Sequence, residues 1–474
     1  MTVLTQDLRR LTPLACVIAL VTTLGPPATI VKAGTSSRRP QIITLTESMA
    51  ALTWVTNKRA RAAVRYGNAP DRLDRVAVGG SEPVRFHYFE LRGLQPGSTY
   101  YYACTTSLEE PVAERSPSER FTTLVLPQGK ELFAFATMTD THVGEHVVAR
   151  IVISPDTVIS EGVRWREPGL PHWRLMLQTS IRQINRQDVA FTIVKGDITH
   201  HGTVSQFQIA KDLMDRLVNP YHIVRGNHDR LEPLLRTFDM DRTWYSFKSM
   251  GHLFVVLDTE PFASAPGQTL DAQLEWLANE LDMNGDAPTY VFVHRPIPPR
   301  LSGATGPVHD MMFKLQHDLA RRWIGKGAAH TIARAQGKVP SVRPDSARRL
   351  AELFRRHGKI VGVFAGHLHR NHVGYWPGQT GNLPYVETAP TKDYPCGYGV
   401  TRVFSGGYMH NFYTPSDPHS LEWSAMSHDQ FASFGFANKS GTVYDRNFVL
   451  NFSDLDLRRS GTNRSERNRP AAMP

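Results

Sequence analysis

The sequence predicts an all-β sandwich domain followed by an α/β domain with layered sheets. Short runs rich in β-branched and aromatic residues, separated by turns, occupy residues 41–124. From residue 132 onward, apolar strand-like runs alternate with stretches of helical periodicity, an order typical of layered α/β domains. A chain of 474 residues is long enough for two or three domains, and the segment Pro127-Gln128-Gly129 is the predicted linker.

The first domain is predicted to consist of short strands, because its runs of β-branched and aromatic residues show some period-two alternation. Strands are predicted at residues 41–46, 50–56, 61–66, 84–91 and 120–124. A turn at residues 93–98 leads into Tyr100, and a tyrosine after such a corner can bury its ring and return its hydroxyl to the backbone. Residues 40–125 thus resemble a fibronectin type III sandwich of the kind found at the N-terminus of purple acid phosphatases.

The second domain alternates strands with helices. Strands are predicted at residues 132–137, 189–195, 221–225, 252–257, 289–293 and 359–365, and helices at 174–186, 204–217, 270–281 and 346–357. Such an order brings functional loops to the C-terminal ends of the strands. Two long connections, residues 143–170 and 296–344, have the length of functional lids or disordered insertions.

The two ends of the chain differ from the domains in composition. Arg9 and Arg10 precede an apolar run at residues 11–24, and small residues follow at 31–33, which is typical of a secretory signal peptide covering residues 1–33. A single anchoring helix is the alternative. We expect a secreted or periplasmic protein with no membrane association after cleavage. The basic, polar tail at residues 456–474 is predicted to be disordered.

The charge and the cysteine content bear on nucleic-acid binding and on disulfide formation. The formal charge of +10 comes without a nucleic-acid-binding module, so we expect no nucleic acid as a stable partner. Cys104 and Cys396 could form one disulfide or lie buried as two small hydrophobes, and the sequence does not decide between them. Nothing in the sequence predicts the oligomeric state.

Five short motifs follow five of the predicted strands. They are Asp140-Thr141-His142, Gly196-Asp197, Gly226-Asn227-His228-Asp229, Val293-His294 and Gly366-His367-Leu368-His369. Each motif alone is weak, but all five in order place carboxylate, imidazole and amide ligands at one edge of a sheet. Such ligands suit Fe, Mn or Zn. The sequence therefore predicts a metal site.

The ordered motifs resemble those of the calcineurin-like metallophosphoesterases. The resemblance implies an α-β-β-α layered domain over residues 130–455 and two divalent or trivalent transition-metal ions as cofactors. It implies that one ion is held by Asp140, His142, Asp197 and His369, and the other by Asn227, His294 and His367, with Asp197 bridging both. By the same resemblance, His228 contacts the phosphate or protonates the leaving oxygen, and Asp229 orients His228.

Two departures separate the chain from the purple acid phosphatases. That group has a tyrosine three residues after the Gly-Asp aspartate, where this chain has His200, and a glycine at the position of His142. An imidazole therefore replaces the phenolate on the same metal. This implies a metal site that lacks the tyrosinate-to-iron charge transfer that gives the purple acid phosphatases their colour. The chain also lacks the extended Gly-Asp motif of the Ser/Thr protein phosphatases, which disfavours that role.

Three further residues are predicted to bind substrate. His201 follows the Gly-Asp motif, His146 lies on the long loop after the first motif, and Arg295 follows a predicted ligand directly. The alternatives are solvated loop histidines and, for Arg295, a structural salt bridge.

The function predicted from the sequence is metal-dependent hydrolysis of a small phosphorylated substrate. A phosphomonoesterase is preferred because of the two-domain plan. The first alternative is a phosphodiesterase acting on glycerophosphodiesters or cyclic nucleotides. The Asp-x-His ligand set of the first motif resembles that of such phosphodiesterases. The alternative of another class is an extracytoplasmic binding protein with an inactive metal domain, and the presence of all seven ligands argues against it.

Overall fold

A computed structural model describes most of both domains. The described residues are 38–107, 119–149, 151–154, 157–167, 169–260, 268–284, 287–297, 344–357, 359–376, 383–428 and 439–456. The predicted signal peptide, most of the insertion at 296–344 and the tail beyond residue 456 lie outside them. Within these ranges, no helix combines the length and the apolar character needed to cross a membrane.

The N-terminal domain is a β-sandwich of six described strands. They are β1 (Arg38–Leu45), β2 (Met49–Gly67), β3 (Arg75–Val78), β4 (Val84–Arg92), β5 (Thr99–Ser107) and β6 (Glu119–Thr122). The long strand β2 joins the two halves, because its first part pairs with β1 and β4 and its second part pairs with β3 and β5.

The prediction of two separate strands at 50–56 and 61–66 was wrong, because both belong to β2. The register with β4 shifts between Val55 and Ala60, and the side chains of residues 57–59 in between are exposed. A polar, exposed bulge interrupts the alternation in the sequence without ending the strand.

The sandwich core is aromatic, and the predicted tyrosine corner is present. The Trp54 ring stacks on Phe89 with centroids 5.1 Å apart. The ring of Tyr100 is buried, and its hydroxyl accepts a hydrogen bond of 3.0 Å from the backbone N–H of Gln95. This contact closes the turn that leads into β5.

The second domain contains the remaining described strands and helices. Its strands are β7 (Glu131–Met138), β8 (Ile151–Ser154), β9 (Thr157–Ser160), β10 (Phe191–Lys195), β11 (Tyr221–Val224), β12 (Tyr245–Ser249), β13 (His252–Val256), β14 (Thr289–Phe292), β15 (Ile360–Ala365), β16 (His372–Trp376), β17 (Leu383–Glu387), β18 (Tyr398–Phe404), β19 (Gly407–Tyr413) and β20 (Asn447–Asn451). Its helices are α1 (His172–Ile184), α2 (Val204–Met214), α3 (Leu231–Phe238), α4 (Gln268–Met283), α5 (Pro344–Arg356), α6 (Pro418–His428), α7 (Val443–Arg446) and α8 (Phe452–Asp456).

Two sheets pack face to face in this domain. One has the order β11-β10-β7-β18-β19-β20, and the other has the order β12-β13-β14-β15-β17-β16. The Phe135 ring of the first sheet makes edge contacts with Phe254 and Phe292 of the second. Helices α1 and α2 pack on the outer face of the first sheet, and α4 and α5 on that of the second. The layers are therefore α-β-β-α, as the resemblance implied.

Parallel pairing sets the position of the motif loops. Strand β10 runs parallel to both β7 and β11, and β14 runs parallel to β13 and β15. The C-terminal ends of these strands therefore lie at one edge of each sheet. The five motifs leave the strands at these ends.

Buried polar contacts hold the sandwich against the second domain. Thr44 of β1 donates to the carbonyl oxygen of Phe412 at 2.7 Å, and the side-chain amide oxygen of Asn447 accepts from the N–H of Leu45 at 3.0 Å. Cys104 lies in the sandwich core and Cys396 in a core of the second domain, so they are two buried thiols not joined to each other. Burial raises the pKa of both thiols.

Candidate dinuclear metal site

The seven predicted ligands come together where the parallel strands end. Five strands are each followed by one or two of these ligands: β7 by Asp140 and His142, β10 by Asp197, β11 by Asn227, β14 by His294, and β15 by His367 and His369. Both sheets contribute, so the site bridges their edges. Six of the seven form two compact groups in which the ligand atoms lie within 4.8 Å of one another.

The backbone at this edge is strained. Five of the ligands have left-handed φ angles, which non-glycine residues rarely adopt: Asp140 (51°), His142 (42°), Asp197 (48°), His367 (69°) and His369 (52°). Each such conformation costs on the order of 1–3 kcal/mol and persists where surrounding structure enforces it, most often at functional sites.

Two glycines allow the loops to approach one another. A Cβ on Gly226 would lie 2.0 Å from the backbone nitrogen of Asp197, and one on Gly366 would lie 2.1 Å from Oγ1 of Thr139. Both distances are far below van der Waals contact. The glycines of these motifs are therefore needed for close approach of the ligand-bearing loops.

The first group contains Asp140, His142 and His369. Oδ1 of Asp140 lies 3.1 Å from Nε2 of His369 and 3.9 Å from Nε2 of His142. Oδ1 of Asp140 and Nε2 of His142 are fully buried, and neither has a hydrogen-bond partner of good geometry among the described residues. Buried polar atoms are rarely left in this state, so a cation between them would satisfy both.

The second group contains Asp197, His294 and His367, and Asn227 joins it. Nε2 of His294 lies 3.3 Å from Oδ2 of Asp197 and 3.1 Å from Oδ1 of Asn227. Oδ2 of Asp197 also lies 3.6 Å from Nε2 of His142 in the first group. One carboxylate oxygen therefore faces both groups, which is the position of a bridging ligand.

The electrostatics prepare the carboxylates for cations. Burial would raise the pKa of Asp140, but His369 beside it holds that pKa below its usual range. Burial likewise opposes ionisation of Asp197, and His294 and His228 hold its pKa well below the ordinary value. Burial would lower the pKa of His294, but Asp197 outweighs it and raises this pKa to about 10. A metal ion would displace the proton of His294, and the two ionised carboxylates, four neutral imidazoles and one amide oxygen then fit a pair of transition-metal ions.

The calcineurin-like phosphoesterase family model matches residues 133–371, which is half of the chain and spans every predicted ligand. The chain belongs to this family. The members of this family are metal-dependent phosphoester hydrolases that use two metal ions, which favours an enzyme over a binding protein with an inactive domain. The model of the purple acid phosphatase N-terminal domain matches residues 40–123, which is the sandwich.

Curated relatives of this phosphoesterase carry phosphodiesterase names. The chain is 25% identical over 195 residues to a probable glycerophosphodiester phosphodiesterase of Arcobacter nitrofigilis, covering 39% of this chain and 58% of that one. It is 27% identical over 213 residues to a probable cyclic nucleotide phosphodiesterase of Rhodopseudomonas palustris, covering 43% and 65%. The matches thus span about three fifths of the relatives' length.

Solved structures align with this phosphoesterase at low similarity. A purple acid phosphatase from yellow lupin aligns over 81% of this chain and 73% of its own, at 14% identity and a TM-score of 0.38. A dimetal phosphatase from Danio rerio aligns over 60% and 98%, at 14% identity and a TM-score of 0.41.

The orienting role expected for Asp229 in this phosphoesterase is not what the structure shows. The buried carboxylate of Asp229 accepts from the N–H groups of Ile198, Thr199 and Gly226 and from the hydroxyl of Thr199. It therefore clamps the loop after β10 to the loop after β11. The atom that fixes the His228 ring is instead the carbonyl oxygen of His200, 2.8 Å from Nδ1. Adjacency in sequence does not determine which way a carboxylate turns.

His228 lies half-buried at the rim of the metal groups. Its backbone N–H donates to Oδ1 of Asp197 at 2.8 Å, so Asp197 uses one oxygen for the loop and the other for the metals. The His228 ring contacts His142 edge-on, with centroids 4.6 Å apart. With Nδ1 held by His200, Nε2 is the ring nitrogen left to meet a substrate.

The three predicted substrate-binding residues differ in their surroundings. The Arg295 side chain is buried, with Nε 2.6 Å from Oε1 of Glu260 and a terminal nitrogen 3.2 Å from Nε2 of His367, so its guanidinium forms the structural salt bridge considered above. His201 is exposed and its ring packs against His200 with centroids 4.4 Å apart. His146 is exposed on the loop after the first motif and is in neither metal group.

Several buried charged residues beside the site were missed from the sequence. Lys195 is fully buried at the end of β10, and Glu145, Lys392 and Asp393 are buried next to the ligand histidines. The role of Lys195 could have been predicted from the sequence, because a lysine in the apolar run of a buried strand must form a hydrogen bond or an ion pair. The others lie in loops, where sequence alone gives no comparable signal.

Proposed function

We propose that this enzyme hydrolyses phosphodiesters, using the seven ligands above to hold two transition-metal ions. The observation that carries the proposal is Oδ2 of Asp197, which lies between two separate ligand groups, 3.6 Å from Nε2 of His142 and 3.3 Å from Nε2 of His294. The names of the curated relatives support a diester as substrate. The metal identities best suited to this donor set are Fe, Mn and Zn.

The ligands form two metal-binding groups that share one residue. Asp140, His142 and His369 would hold one ion, and Asn227, His294 and His367 the other, with Asp197 common to both. When bound, the two ions supply Lewis acidity to the phosphoryl group and to the attacking water. Five of the seven ligands are buried, and these preorganised groups would keep the arrangement without reorganisation during the reaction.

His228 is the proposed general acid. The carbonyl oxygen of His200 accepts from Nδ1–H, so in the imidazolium form of His228 the second proton lies on Nε2. That proton passes to the leaving alkoxide of the ester, which departs as the alcohol and leaves a neutral imidazole. An alkoxide is a poor leaving group, so a proton donor matters for alkyl diesters. Asp229 holds the loop that carries His228, through its four accepted hydrogen bonds.

A comparison of two chromogenic esters tests the choice of substrate class. With protein reconstituted in Mn²⁺, we expect faster turnover of bis(p-nitrophenyl) phosphate than of p-nitrophenyl phosphate. Asp197→Asn, purified in the same way, should lose both activities, which controls for a contaminating phosphatase. A higher rate on the monoester would overturn the diesterase proposal.

Phosphomonoester hydrolysis is the second candidate function. It is favoured by the match of residues 40–123 to the purple acid phosphatase N-terminal domain. The same pair of esters decides between the two, because a monoesterase would turn over p-nitrophenyl phosphate preferentially.

We also propose that the protein is exported. The support is the order of Arg9 and Arg10, the apolar run at 11–24 and the small residues at 31–33. Cell fractionation of the full chain against a variant lacking residues 1–33 tests this: the full chain should be found outside the cytoplasm in processed form. Retention of both forms in the cytoplasm would contradict it.

A further inference from the structure

The two ring nitrogens of His142 face different surroundings. Nε2 faces the carboxylates of Asp140 and Asp197 and is the atom available to a metal. Nδ1 points the other way and lies 3.4 Å from Nδ1 of His200. A metal-binding histidine is oriented by the hydrogen bond of its second nitrogen, usually to a carboxylate or a carbonyl. Here an imidazole occupies that place.

His200 lies between three groups of the site. Its ring stacks on His228 with centroids 5.5 Å apart, and its backbone N–H donates to the carbonyl oxygen of Val143 at 3.0 Å, next to His142 in sequence. Nδ1 of His200 lies 3.9 Å from Oε1 of Glu145. The same ring nitrogen of His200 therefore faces both Nδ1 of His142 and the carboxylate of Glu145, and only the contact with His142 is within hydrogen-bond distance.

Glu145 is part of a buried charge network. Its other oxygen, Oε2, accepts from Nζ of Lys392 and lies 3.4 Å from Nε2 of His172. The side chains of Glu145 and Lys392 are 9% and 4% exposed, so neither charge could be buried alone at low cost. Lys392 therefore keeps Glu145 ionised behind His200. The ring of His172 is fixed in turn by stacking on Trp423, with centroids 4.5 Å apart.

The same network reaches the second histidine of the first metal group. Asp393 follows Lys392 in sequence, and its Oδ1 lies 3.7 Å from Nδ1 of His369. We define this network as His172, Glu145, Lys392, Asp393 and His200. Its members therefore contact the second ring nitrogen, Nδ1, of both His142 and His369. In the second metal group the second ring nitrogen of the histidine meets the backbone instead, since Nδ1 of His294 lies 2.8 Å from the carbonyl oxygen of Lys195.

We propose that His200, which lies beside the Glu145–Lys392 pair, is a positioning residue that fixes His142 with Nε2 facing the first metal. The affinity of the first metal group then depends on His200, whereas that of the second group does not. This inference rests on the dinuclear site of the proposed function, but it does not depend on which ester is the substrate.

The test is calorimetric titration of metal-free protein with Mn²⁺. We expect two binding events in the native protein. His200→Phe keeps a ring of similar size but removes both nitrogens, and should weaken one event about 10–100-fold while leaving the other unchanged within about twofold. His200→Gln retains a side-chain oxygen that can accept from Nδ1–H of His142, and should restore most of the lost affinity.

Two further variants separate positioning from damage to the fold. The double variant Glu145→Gln/Lys392→Met removes both buried charges together, so it should weaken the same event without leaving an unpaired ion. His222→Phe, which removes a partly buried imidazole stacked on Phe247 away from the site, is the matched control and should change neither event. Circular dichroism confirms that each metal-free variant is folded.

The outcomes of this titration are distinct from those of the ester assay. Two unchanged events in His200→Phe would overturn the positioning role while leaving the proposed function intact. Equal weakening of both events would also overturn it, because the role is specific to the first metal group. A native protein that binds two ions but hydrolyses neither ester would remove the proposed function and leave the inference standing.

Discussion

Lys195 donates a hydrogen bond of 2.8 Å from Nζ to the carbonyl oxygen of Ala365, the last residue of β15. It donates a second bond of 2.7 Å to the hydroxyl of Thr388. Lys195 ends β10 and precedes the bridging ligand Asp197, whereas Ala365 precedes the ligand His367. One buried side chain therefore ties together the strand ends that carry ligands from the two facing sheets.

Replacing Lys195 should destabilise the fold. Lys195→Met leaves the buried carbonyl oxygen of Ala365 without this donor, and we expect a loss of about 2–4 kcal/mol in the free energy of unfolding. Urea denaturation followed by circular dichroism measures it. Lys211→Met is the control, because Lys211 in the last turn of α2 forms a partly exposed pair with Asp215, the residue that follows the helix. This substitution should cost under about 1 kcal/mol. Equal losses in the two variants would contradict the role assigned to Lys195.

A methyl group at Gly226 should disrupt the metal site. Gly226→Ala would force its Cβ against the backbone nitrogen and Oδ1 of Asp197, at 2.0 and 2.4 Å. Displacing the bridging carboxylate by even about 1 Å can reduce turnover on the order of 100-fold. Gly80→Ala is the matched control, since no atom lies within 4 Å of its added Cβ. Turnover of bis(p-nitrophenyl) phosphate should fall only in the first variant, and full activity in Gly226→Ala would show that the loops are not so closely packed.

How much of this could be predicted from the sequence depends on how local the signal was. The strands that carry the ligands were predicted to within a few residues, because each is an apolar run followed by a polar motif. Convergence of Asp140, Asp197 and His294 followed from parallel strands ending at one edge. Strand β2 was divided in two because its exposed bulge interrupts the alternation.

The network behind His142 could not be predicted for a different reason. Glu145 and Lys392 are 247 residues apart in the chain, and each alone is an ordinary charged loop residue. Only the fold brings them together and buries both. The same holds for Asp229, whose carboxylate turns to the loop after β10 rather than to its neighbour His228.

Acid should destabilise the protein through histidines that are buried in the neutral form. Burial lowers the pKa of His222 to about 4, and its ring stacks on Phe247 with centroids 3.7 Å apart. The unfolded chain takes up a proton near pH 6.5 while the folded chain does not, so stability falls as pH drops from 6.5 towards 4. We expect a contribution of about 1–2 kcal/mol between pH 6.5 and 5.

Urea unfolding at pH 7 and pH 5 measures this contribution. In His222→Phe the loss of stability between the two pH values should be smaller than in the native protein. His146→Gln, at an exposed position, is the control for the substitution itself and should change the free energy of unfolding at pH 7 by less than about 0.5 kcal/mol. A pH dependence that is identical in all three proteins would show that His222 titrates normally in the fold.

The tyrosine corner should stabilise the sandwich. Tyr100→Phe removes the hydroxyl that accepts from the N–H of Gln95, and we expect a loss of about 1–2 kcal/mol in the free energy of unfolding. The control is Tyr101→Phe, a half-buried neighbour in the same strand. Thermal denaturation compares the two, and a larger effect at Tyr101 would contradict the assignment.

Metal analysis tests the central claim most directly. Native protein, stripped of metal and reconstituted with Mn²⁺, should retain about two ions per chain by mass spectrometry of the metals. Asp197→Asn should retain fewer, because its side chain faces both ligand groups, 3.6 Å from His142 and 3.3 Å from His294. Two ions in the native protein with a clear loss in the variant is the predicted result. Native protein that hydrolyses phosphoesters with no bound metal, or an Asp197→Asn variant that retains both ions and full turnover, would contradict a bridged dinuclear site.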